Sequence, residues 1–257
     1  VRKFAGEALA MSAPFLLIAA AWEAVAVAGI FPAKLFPSVE TVIATLADLL
    51  LEGILWAHTA GTLARLILGF LLAAVVGVVT GVLMGRFRVV EELFLPAVSF
   101  AYPIPGLAYA PLFVLWFGLG DLPAILLVGA ASCFVIILNT WKGVKAVRPL
   151  WLRAAEVMGA NERQMFRKVI VPAALPYVLI GLRLGLAQAW RILVIVEMLT
   201  AVEHGLGWMI FGAREFLNTD VMLAGVLVIG VVGLLLEKQV FERIERYTVV
   251  RWGMLTA

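Results

Sequence analysis

Arg191 and Glu197 stand six residues apart inside an apolar run over 173–200. Charges within a membrane-spanning segment are costly and mark a functional position by default. Six residues turn an ideal helix by about 600°, which leaves the two side chains roughly 120° apart and pointing away from each other. Arg191 offers a cation that would attract an anion, with Gln188 and Trp190 beside it, and one of the two charges could face a pathway while the other holds a neighbouring helix. Pairing of Arg191 with a carboxylate such as Glu23 or Glu197 is the structural alternative. Arg183 and Arg65 lie nearer the ends of apolar runs and read as side chains snorkelling toward headgroups. Covalent catalysis has no visible machinery, since no nucleophile and base stand at workable spacing. Cys133 is the single cysteine, and His58 and His204 are far apart in sequence, so no metal site is expected.

The elements that hold these charges follow from composition. Hydrophobic residues make up 64% of 257, against about 45–50% in soluble domains, and the mean hydropathy is +1.07. The chain is therefore expected to be an all-α integral membrane protein in a lipid bilayer. Long unbroken apolar runs favour helices of about 20 residues over the short alternating segments of a barrel. Six spans are expected near 10–30, 58–84, 91–116, 122–141, 173–200 and 221–239, in one transmembrane domain covering 1–257. The run from Ala10 to Phe31, interrupted by Glu23, reads as a retained first span instead of a signal peptide. The net charge of +3 gives no reason to expect a nucleic-acid partner.

The distribution of charge sets an expected orientation. Fifteen lysines and arginines fall on one side, among them Arg2, Arg86, Arg88, Lys142, Lys145 and Arg153, against Lys34 and Arg214 opposite. The positive-inside rule then puts both termini and the 142–172 loop in the cytoplasm.

Local chemistry adds detail. Ser38, followed by Thr41, can cap a short helix through Leu51, and Gly118 to Asp121 makes a tight outer turn. The glycine-rich 203–220 segment reads as a short lid helix on the outer membrane face. Gly69, Ala73, Gly77, Gly81 and Gly85 recur every fourth residue, a pattern that lets a second helix approach closely, either within the chain or across a dimer seam. Tyr102-Pro103-Ile104-Pro105-Gly106 lies mid-span, where each proline removes a backbone donor, so that helix should bend or unwind. Tyr102, Pro103 and Pro105 are expected to line the pathway or form its gate, because irregular backbone is tolerated where it meets protein or a water-filled cavity. Asn139 either bonds across helices or faces the exit.

The 149–172 segment is the most polar interruption. Pro149 suits a first helical turn, and Leu150, Trp151, Ala154, Val157 and Met158 form an apolar stripe at helical spacing. Gly159 permits the positive φ of a helix stop. Asn161 with Gln164 reads as a capping box for a second short helix that Pro172 should end, with Met165 and Phe166 available as apolar contacts. A protruding helix-turn-helix of this kind can dock in a partner's groove or lie on lipid.

Ala154-Ala155, Gly159 four residues on, and Val169-Ile170-Val171-Pro172 resemble the EAA loop of the membrane subunits of ABC importers. Leu35 to Ser38, Tyr102 to Pro105, Leu115 to Gly120, Asn139-Thr140, Glu197 to Leu199 and Gly205 to Gly207 are similar to one type I permease subfamily. That subfamily carries nitrate, taurine, alkanesulfonates, bicarbonate and related small organic anions or heterocycles. The resemblance implies the type I ABC importer permease fold, in the bacterial inner membrane, and a loop that docks on an ATPase through Arg153, Ala154, Ala155, Glu156, Gly159, Ala160 and Phe166. The family consensus carries a glutamate where Arg153 stands, and an arginine is common where Glu156 stands, so the charges are exchanged across an i,i+3 pair. No G-x-x-x-x-G-K-[ST] phosphate loop occurs in the sequence. The implied partners are cytoplasmic ATPase subunits, which would bind ATP and Mg, a second permease copy forming a homodimer, and an extracytoplasmic solute-binding protein. The chain itself is expected to perform no catalysis and to hold no cofactor. The rival expectation is an ion-coupled secondary transporter, and within ABC importers a carrier of a neutral heterocycle.

Overall fold

The computed structural model describes residues 2–241. Helix α1 runs Arg2–Val27, α2 Val39–Leu51, α3 Ile54–Arg86 and α4 Arg88–Ala101. They are followed by α5 Ala110–Phe117, α6 Asp121–Lys145, α7 Pro149–Val157 and α8 Glu162–Met165. The chain continues through α9 Val171–Thr200, α10 Leu206–Glu215 and α11 Thr219–Leu235. Among the described residues four helices are long and apolar enough to cross a membrane: Ile54–Arg86, Asp121–Lys145, Glu162–Thr200 and Thr219–Gln239. A fifth span is made if Arg88–Ala101 and Gly106–Phe117, bent by 93°, count as one. The expected six is reached only with α1, whose apolar part, Leu16–Val27, is too short by itself.

The ladder of small residues on α3 packs within the chain. A methyl group added at Gly69 would stand 2.9 Å from Val128 Cγ1, at Gly77 2.7 Å from Ile136 Cβ, and at Gly81 2.6 Å from Thr140 Cβ. The backbones of α3 and α6 approach as closely as the absent side chains allow, and this is the most extensive helix pair. An adjoining face of α6, sharing Ile136, meets α9 in the same way, where Gly181 seats on Asn139 and Gly185 on Ile136. A three-helix slab of α3, α6 and α9 thus forms the centre. Leu66, Leu127, Leu193 and Leu206 are fully buried at one end, Met84 and Ile136 further along, and Val144, Ile170 and Ala174 at the other end.

The helix boundaries follow turn chemistry. Ser38 Oγ accepts the Thr41 N–H at 3.2 Å, and Glu23 Oε2 accepts the Val39 N–H at 2.7 Å. Glu23 therefore caps α2 and is no partner for Arg191. Gly118 and Gly120 take φ +82 and +113, and Gly120 N–H bonds Thr200 O at 2.7 Å, which ties the α5–α6 turn to the end of α9. Helix α4 stops at Ala101, and Pro103 and Pro105 occupy the bend before a 3-10 turn over Gly106–Tyr109.

One expectation about a helix end is overturned. Pro172 does not end the second helix of the loop. A π-helical turn over Phe166–Ile170 joins α8 to α9, so Glu162–Thr200 is one helix of 39 residues. Val171 N–H reaches back five residues to Phe166 O, and the widened turn accommodates the donor that Pro172 lacks. Within the 203–220 segment the chain forms a short helix, α10, with Leu206, Gly207, Met209, Ile210 and Ala213 buried against α9 and α11.

Candidate functional site

At the Thr200 end of α9, four helices meet at a buried polar node. Arg65 lies on α3 one step before the ladder of small residues, and only 5% of it is exposed. Its Nη1 donates to Glu197 Oε1 at 2.7 Å, its Nε to Asp121 Oδ1 at 2.6 Å, and its Nη2 to the His204 carbonyl at 2.5 Å. Glu197 is wholly buried, and its second oxygen accepts from Thr62 Oγ1 and from Gly207 N–H, both at 3.0 Å. Thr62 Oγ1 in turn accepts the Leu206 N–H at 2.9 Å. Every acceptor of Glu197 that matters is satisfied, which is the condition under which a carboxylate tolerates such burial.

The node corrects two expectations. Arg65 does not snorkel to a rim, since its guanidinium is turned inward between two carboxylates. Glu197 does not face a pathway, having no exposed surface. His58 and His204, remote in sequence, place their rings 5.6 Å apart, and the Gly205 N–H donates to His58 Nδ1 at 2.9 Å. Among the described residues no third metal-ligating side chain joins them.

Arg191 sits elsewhere. It is exposed on α9, its Nε donates to the Ala187 carbonyl one turn back at 3.0 Å, and it lines a groove of ≈ 510 Å³ between α9 and α11. Arg183, paired with Glu237 at 3.0 Å, lies in the same groove, with Trp190 and otherwise apolar walls. Neither alternative partner, Glu23 or Glu197, is available to Arg191. Tyr102 is half exposed at the bend, with Pro103 and Pro105 exposed beside it. Asn139 donates to Val135 O of its own helix at 2.8 Å, so it does not bond across helices.

At the opposite end, α7 stands out from the helix slab with none of its residues buried. Leu150 is 70% exposed, Val157 89% and Met158 85%. Its end is a Schellman closure: Ala160 N–H bonds Ala155 O, Gly159 N–H bonds Glu156 O, each at 2.9 Å, and Gly159 has φ +78. The capping box follows, with Gln164 N–H donating to Asn161 Oδ1 at 2.8 Å and Asn161 N–H to Gln164 Oε1 at 3.0 Å. Ala154 and Glu156 are exposed, as is Arg153, and no ion pair joins Arg153 to Glu156 among the described residues. Phe166 and Met165 are turned inward, against Val144, Val147, Ile170 and Ala174, so the expectation that they serve as outward contacts is corrected. Arg86, at the end of α3, reaches Glu162 at 3.6 Å, and Lys145 on α6 pairs with Glu91 on α4 at 2.5 Å.

Close-packed helices long and apolar enough to span, with one protruding, glycine-stopped loop, are the architecture of a multi-pass membrane protein. The chain belongs to the family described as binding-protein-dependent transport system inner membrane component, whose profile matches residues 73–238. It is 35% identical to a Bacillus subtilis (strain 168) protein that carries the name aliphatic sulfonates transport permease SsuC, over 92% of this chain and 84% of that one. It is 41% identical to the taurine transport system permease protein TauC of Escherichia coli (strain K12), over 73% of this chain and 68% of that one. Among solved structures, a chain of the MetNI methionine ABC transporter in inward-facing conformations superposes with a TM-score of 0.62 at 20% identity, covering 76% of this chain and 96% of that one. That likeness supports the type I permease fold.

Proposed function

We propose that this chain is the membrane subunit of an ATP-driven importer of small anions, with sulfonates and taurine as the first solutes to test. The family membership supplies the class, and relatives named for sulfonates and taurine favour an anion. The carrying observation is α7: an exposed apolar helix, closed by a Schellman turn, on a loop continuous with a spanning helix. Exposed apolar surface of this kind marks an interaction site. A separate ATPase docks there through Arg153, Ala154, Ala155, Glu156 and Gly159, with Ala160 completing the turn. ATP and Mg reside on that ATPase. The lysine and arginine bias places α7 and both termini in the cytoplasm, and a soluble binding protein delivers solute at the opposite face. Two copies of this chain form the assembly, and the whole of 1–257 acts as one transmembrane domain.

The pathway reading rests on Arg191. An intramembrane arginine on an exposed helix face needs water, a counter-ion or a passing anion, and the α9–α11 groove offers space for one. Tyr102, Pro103 and Pro105 at the bend, and Asn139 toward the inner side, complete the residues assigned to the pathway. ATP moves the helices only by interacting differently with the two arrangements.

The test is reconstitution of the permease in proteoliposomes with an ATPase and a binding protein, measuring uptake of labelled taurine and an alkanesulfonate. Uptake that requires all three proteins and Mg-ATP is the expected result. Uptake by the permease alone, driven by an ion gradient, would overturn the reading.

A further inference from the structure

We infer that Arg65 and Glu197 act as positioning residues that bind the outer ends of α3, α6, α9 and α10 into one rigid block, so that the transport cycle moves this block whole. The inference rests on the transport reading above. "Outer" denotes the Thr200 end of α9, which that reading places away from the ATPase.

The geometry carries it in three steps. Glu162–Thr200 is a single helix, so a push at the α7 loop reaches Glu197 across about 52 Å of continuous rod, at 1.5 Å per residue. At its far end the rod is pinned. Glu197 holds α3 through Arg65 and Thr62 and holds α10 through Gly207 N–H, while Arg65 also holds α6 through Asp121 and the 201–205 segment through the His204 carbonyl. All of these bonds lie between 2.5 and 3.0 Å, and Glu197 has no exposed surface.

Separating α9 from α3 or α10 would strand a buried carboxylate, which is far costlier than moving four bonded helices together. Among the described residues the inner end has no wholly buried carboxylate joining α9 to its neighbours. Its ion pairs include Arg86–Glu162, exposed on both sides and able to exchange with water at little cost. They also include Lys145–Glu91, in which Glu91 is 18% exposed and also accepts from Trp141 Nε1, but that pair joins α4 to α6 and does not hold α9. The slab is therefore built to stay closed at the node while its inner end shifts. A solute path on the outer side opens beside the block and not between α9 and α10.

The experiment compares two distances in the reconstituted assembly, using spin-label pairs in a Cys133→Ala background. The outer pair is Trp56→Cys on α3 with Phe216→Cys just after α10, and the inner pair is Val89→Cys on α4 with Val171→Cys at the start of α9. All four positions are exposed. Between the nucleotide-free and vanadate-trapped states the outer distance should change by no more than about 1–2 Å, the scale of a small helix shift, while the inner distance changes by more. An outer change as large as the inner one would overturn the rigid block. Glu197→Gln, which keeps shape but removes the charge, should broaden the outer distribution and lower uptake at least tenfold while the ATPase still copurifies. Unchanged uptake and an unchanged distribution in that variant would remove the role of the ion pair. Should that variant fail to fold, the wild-type distance pair still decides. Absence of ATP-dependent uptake by the wild-type assembly would sink the transport reading and this inference with it, whereas active transport with a moving outer pair sinks the inference alone.

Discussion

The two ends of α9 invert the usual placement of side chains. At one end a carboxylate and a guanidinium are buried, with Glu197 fully enclosed and Arg65 nearly so. At the other, on the loop that leads into the same helix, Leu150, Val157 and Met158 are left in the open. Each inversion costs stability, and each is informative for that reason. Buried charge with every bond made is a fixed joint. Exposed apolar surface on a backbone with its helix ends properly closed is a place for another protein.

Breaking the joint should have the largest effect. Arg65→Ala strands Glu197 in an apolar interior, a loss of about 3–5 kcal/mol, read as a lower unfolding midpoint in detergent and less folded protein in the membrane. An unchanged midpoint would mean that the node bears little weight. Crowding the slab comes next. Gly81→Val sets new atoms against Thr140 Cβ, 2.6 Å from the first added carbon, for about 1–3 kcal/mol, whereas Gly230→Ala, with nothing within 4 Å, should leave the midpoint alone. Equal effects at the two glycines would contradict the close α3–α6 contact.

At the open end the effects are smaller on stability and larger on assembly. Gly159→Ala forces a side chain into φ +78 and should cost about 1 kcal/mol, measurable as faster amide exchange at Gly159 and Ala160. Arg191→Ala, outside both regions, should leave the unfolding midpoint and ATPase copurification unchanged and lower anion uptake. Uptake at the wild-type level would remove Arg191 from the pathway.

Much of this contrast was legible in the sequence, and each failure has a physical cause. The α2 cap at Ser38, the Asn161–Gln164 box, the stop at Gly159 and the bend at Pro103 and Pro105 depend on local chemistry, and the structure carries all four. The node depends on helix faces. Arg65 continues the four-residue ladder of Gly69, Ala73 and Gly77, and Glu197 continues Gly181, Gly185, Ala189 and Leu193. Both charges thus stand on packing faces and had to be buried together, a signal present in the spacing but masked by reading each arginine from its distance to a helix end. Pro172 misled because a π turn can absorb a proline that would break a regular helix.

The central claim is that the α7 loop is where a separate ATPase attaches. Ala154→Arg places a long cation on the exposed face of α7 without touching the buried slab. Copurification of the ATPase with this variant, measured beside the wild-type chain and beside Arg191→Ala, tests the claim most directly. The account predicts that ATPase recovery falls at least tenfold for Ala154→Arg alone, with the unfolding midpoint of the permease unchanged. Full recovery of the ATPase together with normal solute accumulation would contradict it.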